Sequence, residues 1–524
     1  MLPPDIGFRP TVAEALRRAV QDYPDIDYLV SLDERWTFAE AEERSAHIAR
    51  RLLAAGVGKG TRVGLFFTYG GEWLLLWLAL SRIGALVMPF STFYAPRELR
   101  TAVRIGDVEL LFAPDRILKI DVPEFLEEAF PGLAGQREGV LRLDDAPYLR
   151  RIHTVHPVDR SWAGDFDLLA DATADDVSAE LLRRVEDQVF PSDPAVVVYT
   201  SGTTAEPKGV LHTQGTVMRQ TSIMGPAQRA WAGELQPKFL CTMPFFWVGG
   251  ILAVAGALQS GVTLLTLPKL EAGPALELIE RERGTGVAGF PTFMQELRNH
   301  PDFAVRDLSS APMLLGGPSD ISMIGVPGEK PTHRSLSESG GSFFSTDVRI
   351  ADPETGETVP RGEEGELLIR GPGAFEGYLK RERWEAFDAD GWYHTGDRVY
   401  QLEDPDDARL FFAGRYSELI KSAGANVSPK EVEAVLDEFE EVISSFVVGL
   451  DDPERGEIVG AVVVPKDPAT WNTEAMTAKA RASLSSYKVP RRWILASAAE
   501  VPLLGTGKVN RKRLVELIRE GVLT

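Results

Sequence analysis

Val198-Tyr-Thr-Ser-Gly-Thr-Thr-Ala-Glu-Pro-Lys-Gly209 carries the decisive pattern in this sequence of 524 residues. Its β-branched approach, Ala195 to Val198, reads as a buried strand running into a loop. Gly202 and Gly209 let the backbone curl tightly, Ser201, Thr203 and Thr204 add hydroxyl donors, and Pro207-Lys208-Gly209 closes the turn. Backbone N–H groups, hydroxyls and one lysine together make a cradle for a polyphosphate. The competing reading is an ordinary Gly/Ser/Thr turn after a strand, but the full order of residues is far more specific than such a turn requires. It is not a Walker A loop, because Lys208 is followed by Gly209 and Val210 rather than by Ser or Thr. No Gly-x-Gly-x-x-Gly opens a helix here either.

A chain of this length is too long for one core and implies two or more domains. Its hydrophobic share of 44% and charged share of 25% are those of an ordinary globular protein. A net charge of −21 argues against wholesale nucleic-acid binding while leaving room for a local basic site. With Cys241 alone there is neither a disulfide framework nor a cysteine zinc site. The first residues lack a basic stretch followed by an apolar one, so no secretory signal is expected. The most apolar window, Trp73 to Phe90, is interrupted by Arg82 and Gly84 and reads as a buried helix and strand rather than a membrane span. The expected location is the cytoplasm.

Working outward, Thr11 to Tyr23 reads as an amphipathic helix, and Ala39 to Gly56 as a second, with Thr37 as N-cap and Gly56 as C-cap. Strands at Arg62 to Phe67, Ala85 to Pro89 and Glu109 to Phe112 alternate with helices at Leu74 to Ile83 and Pro96 to Ile105. That alternation predicts right-handed crossovers and a parallel sheet. The same grammar recurs after the loop, with strands at Phe239 to Pro244, Thr263 to Leu267 and Val287 to Pro291 around the apolar helix Gly250 to Ser260. From Val348 short strands and turns predict a β-rich unit, expected as a small barrel, that includes the strand Gly365 to Arg370. Asp165 to Glu186, acidic and alanine-rich, reads as a surface helix and linker. A smaller α+β unit is expected to begin at Ser417. The fold class is therefore α/β: a large N-terminal domain, 1–416, of parallel βαβ sheets with a β-rich subdomain, then a small mobile C-terminal domain, 417–524.

The loop resembles the signature of adenylate-forming enzymes: acyl-CoA synthetases, luciferases and peptide-synthetase adenylation domains. The resemblance spans nearly the whole chain. Trp36-Thr37-Phe38, Pro89-Phe90 and Pro96-Arg-Glu-Leu99 precede the loop, and Gly391-Trp-Tyr-His-Thr-Gly-Asp397, Gly414-Arg415, Lys421-Ser-Ala-Gly-Ala-Asn-Val-Ser-Pro429 and Gly505-Thr-Gly-Lys508 follow it in order. It implies that Thr200, Ser201, Gly202, Thr203, Thr204 and Lys208 grip ATP, that Asp397 holds the ribose hydroxyls, and that Arg415 binds the ribose region. Lys508 would bridge the carboxylate and the α-phosphate during adenylation, making Lys508, Lys208 and Thr200 the catalytic set. After adenylation the family's C-terminal domain rotates about a hinge, here Ser417 where relatives carry Asp or Lys. Lys508 then leaves and Lys421, Ser422 and Gly424 face the incoming CoA. Ala205 stands where the family usually has glycine.

Between Leu308 and Arg349 the correspondence is weakest. Ser335-Leu-Ser-Glu-Ser-Gly-Gly341 lacks the family's preceding aromatic and glycine; Ser337 stands for a threonine, and Glu338 is either the Mg²⁺ ligand or a loop carboxylate. Gly316-Gly317-Pro318 marks the nucleotide-side loop. Trp247, Val248 and Gly249 are the acyl-pocket residues; for Trp247 pocket wall and core packing compete, whereas Phe245 reads as core. No Asp in the strand Phe239 to Pro244 suggests an anchor for an amino-acid ammonium. The resemblance thus implies an ATP-, Mg²⁺- and CoA-dependent acyl-CoA synthetase acting on a carboxylic acid; monomer and homodimer both stay open. The alternatives are a ligase that loads a carrier protein and a non-catalytic nucleotide- or acyl-binding homologue.

Overall fold

The computed structural model describes residues 5–139, 141–170, 177–200, 207–222, 225, 228–229, 232–289, 291–315, 346–403, 410–416, 419–422, 424–502 and 509–523. The strand entering the signature loop, Pro194–Thr200, lies inside an eight-stranded sheet. It runs parallel to Leu86–Pro89, and the parallel order continues through Arg62–Leu65, Leu110–Ala113, Arg151–Thr154 and Ala163–Asp165. On its other side the chain returns antiparallel as Lys208–Thr213, which pairs with Gly377–Tyr378. A second sheet sets Gly286–Ala288, Lys238–Cys241, Thr263–Leu265 and Asp27–Val30 in parallel, with Arg35–Thr37 antiparallel at the edge.

Both sheets share one core. The helix Gly71–Arg82, Gly-Glu-Trp-Leu-Leu-Leu-Trp-Leu-Ala-Leu-Ser-Arg, is apolar on every side and accordingly buried on every side. Its last residue, which ends the apolar run as expected, is a buried charge. Arg82 is 3% exposed, and its Nε donates to Glu186 Oε1 at 2.5 Å while its guanidinium reaches Glu42 Oε1 at 2.8 Å and Ser45 Oγ at 3.0 Å. The helix expected in the stretch Asp165 to Glu186 does lie at the surface, with Ala179, Glu180, Leu181, Arg183 and Arg184 exposed. Helix Ala179–Asp187 turns Leu182 and Glu186 inward, and the charge pattern along the sequence hid the partner that buries Glu186. Phe38–Ala54 carries the expected cap: Thr37 Oγ1 accepts from Glu40 N at 3.2 Å, and Thr37 N donates to Glu40 Oε2 at 2.9 Å. The helix stops one residue short of expectation, with Ala55 as cap and Gly56 at φ +78° in the left-handed turn that follows.

Among the described residues the β-rich unit is an open four-stranded sheet rather than the expected small barrel. Its order is Asp347–Ala351, Gly365–Arg370, Tyr393–Tyr400, Phe411–Arg415, all antiparallel. Four strands cannot curl far enough to close around an interior. In the C-terminal sheet, Val442–Asp452 and Gly456–Pro465 alternate their side chains between two faces. Val447, Val459 and Val463 pack with the helix Pro429–Leu436, whereas Val448, Val462 and Val464 pack with the helix Arg511–Arg519.

The C-terminal domain docks on the N-terminal helix Pro96–Gly106. Lys488 Nζ donates to Glu98 Oε1 at 2.6 Å and to Glu431 Oε1 at 2.7 Å, and Ser485 Oγ donates to Glu98 Oε2 at 2.6 Å. Burial disfavours the charge on Lys488, but Tyr487, Glu431 and Glu98 outweigh it and raise the ammonium well above its ordinary value. Burial likewise holds Glu431 above the usual carboxylate range.

Two outcomes follow from these buried charges. Arg82→Leu removes the 2.5 Å partner of Glu186 and leaves it the Arg17 guanidinium at 3.5 Å; the expected cost is about 3 kcal/mol in denaturant unfolding, much of it recovered in Arg82→Leu/Glu186→Leu. Lys488→Met strands two carboxylates at the docking surface. Small-angle scattering should then show a larger radius of gyration, and unchanged scattering would count against the clasp.

Candidate functional site

Register places the ends of the signature loop. Thr200 lies opposite Lys208, closing a hairpin at the C-terminal end of the parallel strands, where α/β sheets bind their ligands. Lys208 Nζ sits 5.0 Å from the centre of the Tyr378 ring. Burial, with help from Arg381, lowers its ammonium pKa. Ser201, Gly202, Thr203, Thr204 and Ala205 lie outside the described residues.

Beside Thr200 opens a cavity of about 480 Å³. Val196, Val198 and His212 form its sheet wall, and Thr216 and Gln220 its wall from the helix Gln214–Thr221. Met243, Trp247, Val248, Gly249 and Ile251 form the opposite wall. The three expected pocket residues are thus brought together, while Phe245 is core, packed 5.0 Å from Trp73. Gly250 lets the helix Val248–Ser260 start tightly against the preceding turn, since a Cβ there would meet Pro244 O at 2.1 Å. Phe93 contacts Phe246, Trp247 and Tyr487, making an aromatic collar shared by both domains. Gly424, Ala425 and Asn426 reach the cavity from the C-terminal domain, with Gly424 at φ +82° in the turn between Ile420–Ser422 and Ala425–Val427.

Two further voids adjoin the cavity. Tyr199, Thr200, Trp247 and Tyr487 also line a gap of about 20 Å³, whose far side is Tyr94, Pro207 and Lys488. Those three in turn border a groove of about 440 Å³ between the domains. Along the groove the helix Pro96–Gly106 presents Arg97, Arg100 and Arg104, of which Arg97 meets Glu438 and Arg100 meets Asp145.

Asp397 is buried and stands opposite Arg415 in the antiparallel ladder, and its N–H donates to Thr395 Oγ1 at 3.0 Å. Asp397 is not among the described residues that line the cavity. Nor are Lys421, whose N–H donates to Glu457 Oε2 at 2.7 Å, and Ser422, which is buried. Gly316, Gly317, Ser337, Glu338, Ser417 and Lys508 lie outside the described residues. Val509, next to Lys508, packs in the layer of Arg511–Arg519, on the sheet face away from the docking helix. Among the described residues no three His, Cys, Asp or Glu gather as a metal site. The sequence reading missed His212, Gln220 and Met243 on the cavity wall and the Glu98–Lys488 clasp. His212 stands only four residues past Lys208, but nothing in its neighbours marks the face it takes.

The model of AMP-binding enzymes matches residues 16–323 and 313–379, and that of the AMP-binding enzyme C-terminal domain matches 431–508. Over 97% of its length the chain is 30% identical to a methyl-dioxo-octahydroindenyl-propanoyl:CoA ligase of Mycobacterium tuberculosis, covering 99% of that protein. It is 28% identical to a long-chain-fatty-acid–CoA ligase of Bacillus subtilis, over 97% of this chain and 94% of the other. The solved structure of the amide bond synthetase McbA from Marinactinospora thermotolerans superposes with a TM-score of 0.75 at 25% identity, covering 96% of this chain and 99% of that one. With the signature hairpin, the paired Asp397 and Arg415 strands and a docked C-terminal domain in one molecule, the chain belongs to the AMP-binding, adenylate-forming enzyme family.

Proposed function

We propose that this protein is an acyl-CoA synthetase that activates a carboxylic acid with ATP and passes the acyl group to CoA. One observation carries the CoA half: the run of voids from the arginine-bearing groove, through the gap at Thr200, to the apolar cavity. Guanidinium groups suit a phosphorylated acceptor, and a narrow gap suits a thin thiol-bearing arm. The likeness to McbA supplies the second reading, an amine acceptor, which has no need of the arginines. A carrier protein would also bring a thiol on such an arm.

In the first step a carboxylate oxygen attacks the α-phosphorus and pyrophosphate leaves. Two anions must meet, so positive charge and alignment are the requirement. Lys208 and the signature loop take the pyrophosphate side, Asp397 accepts from the ribose diol, Arg415 flanks it, and Lys508 bridges the reacting groups. Magnesium would travel with ATP and offset phosphate charge; its expected ligand, Glu338, lies outside the described residues. In the second step the CoA thiolate attacks the acyl carbonyl and AMP leaves. The Gly424 turn at the cavity mouth supports this docking as the thioester-forming arrangement. A reducing compartment such as the cytoplasm fits a chain whose single cysteine, Cys241, is buried and unpaired. No described helix is long and apolar enough to cross a membrane.

ATP–pyrophosphate exchange should require an added acid, and CoA should convert the adenylate to a thioester with release of AMP. Lys508→Ala is expected to slow exchange by about 10²–10³-fold while sparing thioester formation from supplied acyl-adenylate. Equal loss of both steps contradicts the separation of roles. Exchange without any CoA product over short, medium, long and aromatic acids would sink the CoA assignment.

A further inference from the structure

We propose that His212, with Gln220 on the adjoining wall, selects carboxylic acids whose otherwise apolar body carries a neutral hydrogen-bonding oxygen, a hydroxyl or a ketone. This rests on the acid-activating reading above and narrows its substrate class. The cavity is walled mainly by Val196, Val198, Met243, Trp247, Ile251 and Phe375, which suits an apolar body. Into that surface the strand Lys208–Thr213 sets an imidazole. His212 pairs with Val196 across the ladder and therefore shares its face, which is the cavity face.

Among the described residues no hydrogen bond or ion pair reaches the His212 ring. Burial alone pushes its imidazole down to about 4, with no charged neighbour contributing. At neutral pH the ring is uncharged and offers one N–H donor and one bare nitrogen acceptor. Mere packing does not call for such a group, since a leucine would fill the place with no polar atom left unpaired. Gln220 adds the complementary half. Its Nε2 donates to Gly373 O at 2.7 Å, which fixes the amide so that Oε1 is the atom left over, and no described donor meets it. Thr216 on the same wall is already engaged, with Thr213 Oγ1 at 3.0 Å and Ala374 O at 3.5 Å. A ketone accepts from the imidazole N–H, and a hydroxyl can accept there and also donate to Gln220 Oε1. A second carboxylate finds no cation among the described residues of this wall to balance it.

The test uses the full-length protein and ATP–pyrophosphate exchange, which needs no CoA. Straight-chain, cyclic and aryl acids are each compared with their hydroxy and oxo derivatives, the oxygen placed at successive carbons. The expected result is at least one matched set in which the oxygenated acid has a kcat/KM about 10- to 100-fold above its plain partner. His212→Leu should bring that ratio close to one, and His212→Gln, which keeps a donor and an acceptor, should retain most of it. Unchanged melting of both variants separates recognition from folding. A wild-type preference for the plain acid in every set overturns the proposal, as does a ratio that His212→Leu leaves intact. Exchange with oxygenated acids but no CoA thioester keeps this inference and removes only the CoA step. No exchange with any acid removes both.

Discussion

Antiparallel pairing of Lys208–Thr213 with Pro194–Thr200 governs more of this molecule than any other contact, because each side chain on the two strands must take one face or the other. Val196, Val198 and His212 turn toward the cavity. Tyr199 turns the opposite way, and its hydroxyl donates to Ala102 O at 2.8 Å on the helix Pro96–Gly106. That helix bears Glu98, the N-terminal half of the clasp on the C-terminal domain. One hairpin therefore aims the cavity wall, spans the signature loop between Thr200 and Lys208, and seats the docking helix. A one-residue slip would exchange the two faces and disrupt all three.

The electrostatics are local in a chain of net charge −21. Cations are held where the domains meet and where the loop closes: Lys488 between two carboxylates, Lys208 over an aromatic ring, Arg97 against Glu438. Among the described residues, no acidic or basic side chain other than the His212 imidazole lines the cavity. Under the proposed function this contrast would sort the two kinds of substrate, anions at the groove and loop and an uncharged body in the interior.

Elements with strong local signals were legible in the sequence. The Thr37 N-cap and the strand Gly365–Arg370 need only near neighbours, and both stand as read. The loop reading located the strand Pro194–Thr200 but not its antiparallel return, because an Ala-Val-Val-Val run looks alike in either direction of pairing. Closure of the β-rich unit was misjudged for a related reason: strand signals say nothing about whether edge strands meet. Trp247 was legible beside its glycines. His212 was not, since its face depends on a register set by residues on the preceding strand. Glu98 and Lys488 are 390 positions apart, and no pattern links them.

Arg82 and Glu186 are separated by 104 residues in the chain, and this carries a consequence for synthesis. At about 5–20 residues per second, a ribosome needs about 5–20 s after making the apolar helix Gly71–Arg82 before the carboxylate that completes its charge balance exists. Glu42, made earlier, is the only one of the two carboxylate partners present in that interval. During that time the nascent sheet has a core helix whose terminal arginine is half-neutralised. The acidic helix Ala179–Asp187 therefore acts as a late-arriving counter-ion, and the first core of the molecule matures only when the chain has reached the threshold of its signature loop.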